Sequence, residues 1–371
     1  MPALSSPGKS APGGRRWGRV LMFRIASALL ALMFCVVVLE VALRLLGLGY
    51  GHSPDVGHPV FHHWNPTDYD TVVWSPQDDY GGFSMHFNSA GCAMSGELPP
   101  LTQPSLVFLG DSFTLARQVR EEKRFANLVG EQLGMPVVNL GNGSACPLLS
   151  RLQLEWFADR ISPAAVVYQL YSNDITGERD MRKLARSDAA GRIVAVPGEN
   201  TPIWVRVGRA VYVVRWMRMH YLAWQFEREM QRRGGDAEVK AWAPLHPKPL
   251  EESYPAAERR QVEESILELA NICRARNWPF FLCVIPDRGA LLEKKPDHFA
   301  DYFQQFAEAH NLNFIDLASR FRSYPPRELF FRIDIHLTET GHRAAAEAIA
   351  PALSDSIRTT APVAKLARAE S

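Results

Sequence analysis

From residue 105 onward, short apolar runs alternate with stretches whose hydrophobic residues recur at helical spacing. The apolar runs predict buried strands at residues 105–109, 137–140, 165–170, 280–285 and 314–317. The amphipathic stretches predict helices at residues 121–133, 148–158, 257–277, 297–310 and 341–357. Continuous apolar strands separated by helices indicate a parallel sheet covered on both faces. We therefore expect a three-layer α/β/α domain with right-handed crossovers, and a functional site outside the carboxyl ends of its strands.

The N-terminal region is basic and then strongly apolar. Residues 20–39 are apolar apart from Arg24, which is about the length needed to cross a bilayer. No Lys or Arg occurs between residues 45 and 116, and this asymmetry places the N-terminus in the cytoplasm. We expect a cytoplasmic basic tail at 1–19, a transmembrane anchor at 20–46, and an extracytoplasmic domain, periplasmic or at the cell surface. A cleaved signal peptide is the alternative, but the apolar stretch is long and no small-x-small cleavage site follows it.

Two further segments lack the strand–helix alternation. Residues 47–104 are rich in Gly, Pro, Asp and His, which indicates a stalk or an irregular cap. Residues 175–256 form an insertion in the main domain at 105–358, and residues 359–371 are expected to be a flexible tail. Within the insertion, residues 201–233 combine arginine with aromatic residues. A helix of this kind can lie on an anionic membrane surface, cover a catalytic cleft, or pack against its own domain.

The overall composition gives no reason to expect a nucleic-acid partner. Hydrophobic residues make up 47% of the 371 residues and charged residues 22%, as in an ordinary globular protein with one substantial core. The net charge is +1, and no basic stripe is interleaved with aromatic residues, so a nucleic-acid partner is not expected. The sequence gives no indication of protein partners.

Cysteines and clustered histidines raise the questions of disulfides and metals. Cys92, Cys146, Cys273 and Cys283 follow the predicted anchor, and an oxidising exterior permits three pairings among them. Cys92–Cys146 is the favoured bond because both lie in Gly-rich loops, whereas Cys273 and Cys283 are alternatively small buried apolar residues. The four histidines among residues 52–63 lack the helical spacing that would fix a metal site, so solvated loop histidines are the better interpretation. We expect no metal site.

A serine follows the first predicted strand, in the segment Leu-Gly-Asp-Ser-Phe-Thr at residues 109–114. Ser112 would be exposed above the carboxyl edge of the sheet, and Gly110 lets the backbone turn where a side chain would clash. Alone, this pattern is weak, since any strand can end in such a turn. The Gly-x-Ser-x-Gly elbow of α/β-hydrolases and the phosphate-binding Gly-x-x-x-x-Gly-Lys loop are absent from the sequence.

The segment around His336 offers the base that such a serine needs, because a hydroxyl is a poor nucleophile until its proton is taken. Among eleven histidines, His336 has the best context, since Asp334 stands two residues before it on one short loop. Asp334 could accept from one imidazole nitrogen while the other faces Ser112, which would hold the tautomer and stabilise the imidazolium. His342 lies in the following predicted helix and is interpreted as structural.

Donors for a developing oxyanion follow the next two predicted strands. Asn-Leu-Gly-Asn-Gly-Ser at residues 139–144 follows the second strand, and Tyr-Ser-Asn-Asp at residues 171–174 follows the third. The side-chain amide of Asn173, a glycine N–H of the earlier loop and the N–H of Ser112 could therefore converge on one oxygen. Taken singly, each segment is only a turn signal, and the specificity comes from the order and placement of all the blocks.

These blocks resemble the SGNH/GDSL hydrolase superfamily, whose marker residues are Ser, Gly, Asn and His in that order. Ser112 matches the first block, Asn173 the third and His336 the last. In the second block Gly141 and Gly143 compete, and we take Gly143. The resemblance covers about two thirds of the chain and leaves the insertion unmatched. It implies a flavodoxin-like, five-stranded parallel sheet, hydrolysis or transfer of ester-linked acyl groups, and no metal or organic cofactor.

Two departures from this superfamily bear on function. Tyr171 stands where the third block usually has Gly, which would narrow the pocket. The last block is Asp-x-His, a spacing that resembles both envelope polysaccharide O-acetyltransferases and certain hydrolases. The first hypothesis is therefore a serine esterase that removes acyl groups, often acetyl, from an envelope glycan or lipid. The second is an O-acetyltransferase with the same residues, and the third is a non-catalytic envelope protein that keeps the fold for glycan binding.

Overall fold

A five-stranded parallel sheet forms the centre of the protein. The computed structural model describes residues 14–46, 48, 55–75, 79–199, 202–233, 240 and 242–360. The strands of the described residues, in the central sheet and outside it, are β1 (Val56–His58), β2 (His62–Trp64), β3 (Tyr69–Trp74), β4 (Gly81–Phe87), β5 (Ser105–Leu109), β6 (Val137–Asn139), β7 (Pro163–Leu170), β8 (Arg186–Ser187), β9 (Ile193–Ala195), β10 (Phe280–Val284) and β11 (Asn313–Ile315). The central sheet has the order β11-β10-β7-β5-β6, and all its neighbouring strands are parallel.

Helices cover both faces of this sheet. The α-helices of the described residues are α1 (Gly14–Leu45), α2 (Ser112–Leu115), α3 (Phe125–Leu133), α4 (Pro147–Phe157), α5 (Asp174–Leu184), α6 (Ile203–Ala210), α7 (Tyr212–Arg233), α8 (Leu250–Ser253), α9 (Ala256–Ala275), α10 (Arg288–Glu293), α11 (His298–Ala309), α12 (Leu317–Phe321), α13 (Pro326–Leu329) and α14 (Glu339–Thr360). Helices α4, α9 and α11 share a core with one face, and α3, α12 and α14 share a core with the other. The three-layer α/β/α architecture is therefore confirmed.

Strand side chains alternate between the two cores, as the period of two residues in a strand requires. On β5, Val107 and Leu109 join the core behind α4 and α9, whereas Leu106 and Phe108 join the core behind α3 and α14. Full burial of such a side chain contributes about 1.5–3 kcal/mol. Both faces of the sheet are thus covered by apolar side chains, and a functional site is expected among the loops at the ends of the strands.

The predicted central strands and their covering helices are confirmed, and their ends differ by three residues or fewer except at the start of the helix expected at 121–133. The helix expected at 121–133 is interrupted, because a 3₁₀ turn at Glu121–Lys123 precedes α3. Between the two, Arg124 has extended backbone and a buried side chain that donates to the carbonyl oxygens of Ala116 and Ala93. A buried guanidinium without hydrogen-bond partners is costly, and these two hydrogen bonds accompany the break in the helix at Arg124.

The segment expected to be a stalk or irregular cap contains two hairpins that pack on the domain. Strand β1 pairs with β2, and β3 with β4, both antiparallel. Phe61 and Trp64 are buried in the core behind α4, and Met85 and Phe87 form a smaller core with Leu115 of α2. We call the described residues of 55–104 the cap. Its contact with α2 brings it to the serine-bearing end of the sheet.

The cysteines do not form the predicted disulfide, because each of the five is a free thiol. Cys92 and Cys146 both pack among apolar side chains of the core behind α4, where they serve as small hydrophobic residues. Burial raises the pKa of Cys92 to about 12. Cys273 and Cys283 are also fully buried, so the alternative interpretation made for them applies to all four.

Candidate active site

Ser112 lies at the carboxyl end of β5, where the chain turns into α2. Gly110 has a φ of +149°, and a Cβ on it would lie 2.5 Å from the hydroxyl oxygen of Thr114, so only glycine fits. Asp111 caps the helix, since its carboxylate accepts the N–H of Phe113 at 2.9 Å. The turn is therefore closely determined, and the half-buried Ser112 is held at the edge of the sheet.

His336 reaches Ser112 from the loop between α13 and α14. Its Nε2 lies 2.7 Å from the Ser112 Oγ, and its Nδ1 is hydrogen-bonded to Asp334 Oδ1. The same carboxylate oxygen accepts the backbone N–H of His336 at 2.9 Å. Burial acts to raise the pKa of Asp334, but the hydrogen bonds and charge of His336 outweigh it, so this pKa lies below its ordinary value. A serine, an imidazole and an ionised carboxylate thus form one hydrogen-bonded row.

Two residues that the sequence analysis missed hold the loop around His336. Arg288, in the first turn of α10, donates to the carbonyl oxygens of Phe331 at 3.1 Å, Ile333 at 3.2 Å and Asp334 at 2.6 Å. Asp79 accepts the N–H groups of Ile333 and Asp334, both at 2.9 Å. These charge-assisted hydrogen bonds fix the backbone from which the carboxylate and the imidazole project.

The cap reaches both loops of the candidate site. Tyr80 donates its hydroxyl to the second carboxylate oxygen of Asp334 at 3.3 Å. His63 Nε2 lies 2.6 Å from the carbonyl oxygen of Gly143, and the side-chain amide of Asn142 donates to the carbonyl of His63 at 2.8 Å. The cap, whose sequence shows little periodicity, therefore supports the loop after β6 as well as the loop that carries His336.

The two glycines of the loop after β6 have different surroundings. The N–H of Gly141 is taken by the side-chain oxygen of Asn139 at 2.8 Å, and a Cβ on Gly141 would lie 2.2 Å from the backbone nitrogen of Leu115. The N–H of Gly143 donates to none of the residues that the structure describes. A Cβ there would meet only the Arg117 guanidinium, at 3.1 Å. Gly141 is thus required for packing against α2, while Gly143 keeps a donor free.

Substitution by alanine separates these two roles. Gly141→Ala forces backbone against backbone beside Ser112, and we expect it to lower the free energy of unfolding by about 1–3 kcal/mol and to reduce activity. Gly143→Ala displaces only the end of a flexible side chain and keeps the N–H, so we expect stability and activity close to wild type. Thermal unfolding and ester hydrolysis of both variants test this; equal losses would show that the two glycines are equivalent.

Asn173 follows β7, the neighbour of β5, at the same carboxyl edge. Its backbone carbonyl accepts the Thr176 hydroxyl at 2.9 Å at the start of α5. Its side chain is exposed and lies, with that of Gln169, against the buried carboxyl of Asp111. Burial raises the pKa of Asp111. The structure therefore brings Asn173 to the turn that carries Ser112, with its side chain at the surface.

Tyr171 is buried beneath the site. Its ring centroid lies 4.4 Å from that of Phe113, and the Phe113 ring lies 4.8 Å from that of His336. The N–H of Tyr171 donates to the Asp174 carboxylate at 2.8 Å. The aromatic side chain that replaces the usual glycine thus packs against the ring that supports the imidazole.

Four other histidines are held by hydrogen bonds in the core or in the cap. His342 is buried and accepts a backbone N–H at 3.3 Å, and burial lowers its pKa to about 3, in agreement with a structural role. His58 accepts two backbone N–H groups, and burial lowers its pKa to about 4. His62 and His63 hydrogen-bond to each other at 2.9 Å. Within the described ranges no three His, Cys, Asp or Glu are grouped to hold a metal, and His52 lies outside these ranges.

Comparison with known proteins identifies a family for this chain. Residues 108–344 match the model of the GDSL-like Lipase/Acylhydrolase family. Similar solved structures include a psychrotrophic esterase from Pseudoalteromonas sp. (12% identity, 69% of this chain and 97% of that one, TM-score 0.36). They also include a GDSL-like lipase from Bacteroides thetaiotaomicron (12%, 71% and 93%, 0.36) and an acetyl xylan esterase (18%, 67% and 98%, 0.38). No curated protein matches the chain.

The family match carries the assignment, since the structural similarities are at low identity and low TM-score. The matched region spans more than half of the chain and contains Ser112, Gly143, Asn173 and His336. The chain is therefore a member of the GDSL-like lipase/acylhydrolase family.

Proposed function

We propose that this protein is a serine esterase that hydrolyses acyl esters through an acyl intermediate on Ser112. The observation that carries the proposal is the 2.7 Å contact between the Ser112 Oγ and the His336 Nε2, with Asp334 on the other imidazole nitrogen. A hydroxyl, a base and an orienting carboxylate in that order form the arrangement that activates serine for acyl transfer.

In the first half of the reaction, the Ser112 oxygen bonds to the carbonyl carbon of the ester as its proton passes to His336 Nε2. Asp334 accepts the Nδ1–H and stabilises the imidazolium. The N–H groups of Ser112 and Gly143 and the amide of Asn173 donate to the oxyanion. Collapse of the tetrahedral intermediate breaks the ester C–O bond, and His336 returns the proton to the leaving alcohol.

In the second half, water attacks the acyl-serine and gives its proton to His336. The second tetrahedral intermediate expels the Ser112 oxygen, which recovers the proton. The products are the carboxylic acid and the free enzyme. No step needs a metal or an organic cofactor, because the oxyanion donors are N–H groups of the chain itself.

The substrate we propose is an acylated, most simply acetylated, glycan or lipid of the cell envelope. Helix α1 is long and apolar enough to cross a membrane over Trp17–Leu45, and its most apolar part is not buried in the protein. Together with the basic residues before it, this supports an uncleaved anchor with a cytoplasmic N-terminus and an extracytoplasmic catalytic domain. The enzyme would then meet esters exposed at the membrane surface.

Covalent labelling tests the proposal directly. A fluorophosphonate should modify the full chain in detergent at Ser112 alone, as located by mass spectrometry of the peptides, and should at the same time block hydrolysis of an aryl acetate. A wild-type chain that is folded, unlabelled and inactive would refute the esterase proposal.

An added acceptor distinguishes hydrolysis from transfer. A hydrolase should release the same amount of acetate from the aryl ester whether or not a soluble glycan is present. Acetylated sugar formed in place of acetate would instead identify an O-acetyltransferase. Both results require the same acyl-serine, so the comparison addresses only the second half of the reaction.

A further inference from the structure

Helix α6 of the insertion ends, and helix α7 begins, beside the end of the apolar helix α1. The backbone N–H groups of Tyr212 and Val213, in the first turn of α7, donate to the two carboxylate oxygens of Glu40 at 3.0 and 2.9 Å. Arg44 pairs with Glu40 and donates to the carbonyl of Ala210 at 2.8 Å. Glu40 thus caps the N-terminus of α7. Because Glu40 lies five residues, or about 8 Å along the helix axis, before the end of α1, the first turn of α7 is held close to that end.

The exposed face of these helices is apolar and aromatic. On α7, Val214, Met217, Tyr221 and Trp224 are all exposed, and at about 100° per residue they fall within an arc of about 80°. On α6, Ile203 and Val207 are exposed and four residues apart. Large apolar side chains presented on one face at helical spacing mark an interaction surface rather than a solvated helix.

Charge accompanies this apolar face. Residues 203–233 contain seven arginines and two glutamates. The exposed face of α7 continues into Arg228, whose guanidinium lies 4.5 Å from the ring centroid of Trp224. Arginine next to tryptophan and tyrosine suits the headgroup region, where cations meet phosphates and aromatic rings lie at the boundary with the acyl chains.

The cap holds the other side of α7. The guanidinium of Arg215 donates to the hydroxyls of Tyr69 at 3.2 Å and Thr71 at 3.3 Å, both on β3. Helix α7 is therefore tied to α1 at its first turn and to the catalytic domain through β3. The apolar face of α7 remains exposed, beside the end of the anchor α1.

We infer that α6 and the first four turns of α7 lie in the plane of the membrane interface, with Met217, Tyr221 and Trp224 in an anionic bilayer. The inference rests on the anchor proposed above. Its occupant is the lipid surface, because the face is continuous with the segment apolar enough to span the membrane. A docked α7 would set the height of the cap, and with it the height of Ser112, above the lipid.

Spin-label accessibility of the full chain tests this docking. In a Cys35→Ala background, Met217→Cys is labelled and reconstituted in vesicles that contain phosphatidylglycerol. The matched control is Leu101→Cys, because Leu101 is 57% exposed against 59% for Met217 and lies before β5, at the opposite edge of the sheet from Ser112. The other four cysteines are buried and stay unlabelled. A third sample, the native chain labelled at Cys35, reports whether α1 is in the bilayer.

We expect a ratio of oxygen to water-soluble nickel accessibility several-fold higher at position 217 than at 101. A ratio at 217 equal to that at 101, with the Cys35 label in the lipid, would overturn the docking of α7 and leave the anchor intact. A Cys35 label in water would instead reject the anchor, and the docking with it. Protection at 217 from both reagents would show that the face packs against protein, which also contradicts the inference.

Discussion

Ser112→Ala is expected to lower kcat for an aryl acetate by on the order of 10⁶, as when the nucleophilic serine is removed from a serine–histidine–aspartate triad. The substitution takes away the nucleophile and leaves Asp111, Gly110 and the α2 turn unchanged, so the fold should be retained. The matched control is Ser144→Ala, an exposed serine on the loop after β6. Hydrolysis is followed by release of the phenol, and thermal unfolding checks the fold of both variants.

Ser144→Ala should keep wild-type activity, because no step of the proposed reaction uses its hydroxyl. Comparable activity in wild type and Ser112→Ala would mean that the acyl intermediate forms elsewhere or not at all. Loss in both variants with intact unfolding transitions would place a second serine in the reaction.

Asp334→Asn is expected to lower kcat by about 10⁴ with little change in KM. The asparagine amide would donate to His336 Nδ1 and so leave the proton on Nε2, the nitrogen 2.7 Å from the Ser112 Oγ, where it cannot accept the serine proton. The control is Tyr80→Phe, which removes the 3.3 Å hydrogen bond to the other carboxylate oxygen and the hydroxyl's contact with Gln118, and keeps the carboxylate itself. Its loss should be about tenfold or less.

Steady-state kinetics of both variants, with the full chain in detergent, provide the measurement. A tenfold or smaller effect of Asp334→Asn on kcat would argue that the carboxylate only holds the loop. An increase in KM without a change in kcat would point to substrate binding instead of tautomer control.

Much of the fold could be predicted because local pattern and tertiary role coincide in the central sheet. The run at residues 105–109 is apolar throughout, as a strand between two cores must be, and the structure places β5 at the same residues. The candidate residues were accessible for a related reason. Ser112 and Asn173 each follow a strand of one parallel sheet, and the carboxyl ends of such strands meet at one edge.

The cap was not predicted as ordered structure, although a signal was present. In β4, Phe83, Met85 and Phe87 alternate with Ser84 and His86, the period of a strand with one buried face. The many Gly, Pro and Asp residues around it obscured this pattern. The contact of Met85 and Phe87 with Leu115 joins segments nearly thirty residues apart, and no local rule indicates it.

The loop supports Asp79 and Arg288 could not have been found by pattern. Each binds backbone groups of residues 331–334, and a backbone carbonyl or N–H leaves no mark in the sequence of its partner. The predicted Cys92–Cys146 disulfide was wrong for a related reason. Both cysteines share one hydrophobic core, and the sequence does not distinguish a thiol used for packing from one used for bonding.

By itself, the sequence determined the alternating sheet and helices, the apolar N-terminal helix, and which serine, aspartate and histidine are available for chemistry. These follow from periodicity and from short-range neighbours, and both are properties of the chain alone. Only the tertiary structure decided that His336 stands 2.7 Å from Ser112, that the cap braces both loops, and that α7 begins beside the end of α1. Such contacts join residues 80 to 254 positions apart. Their formation depends on the packing of complete layers, which no local segment encodes.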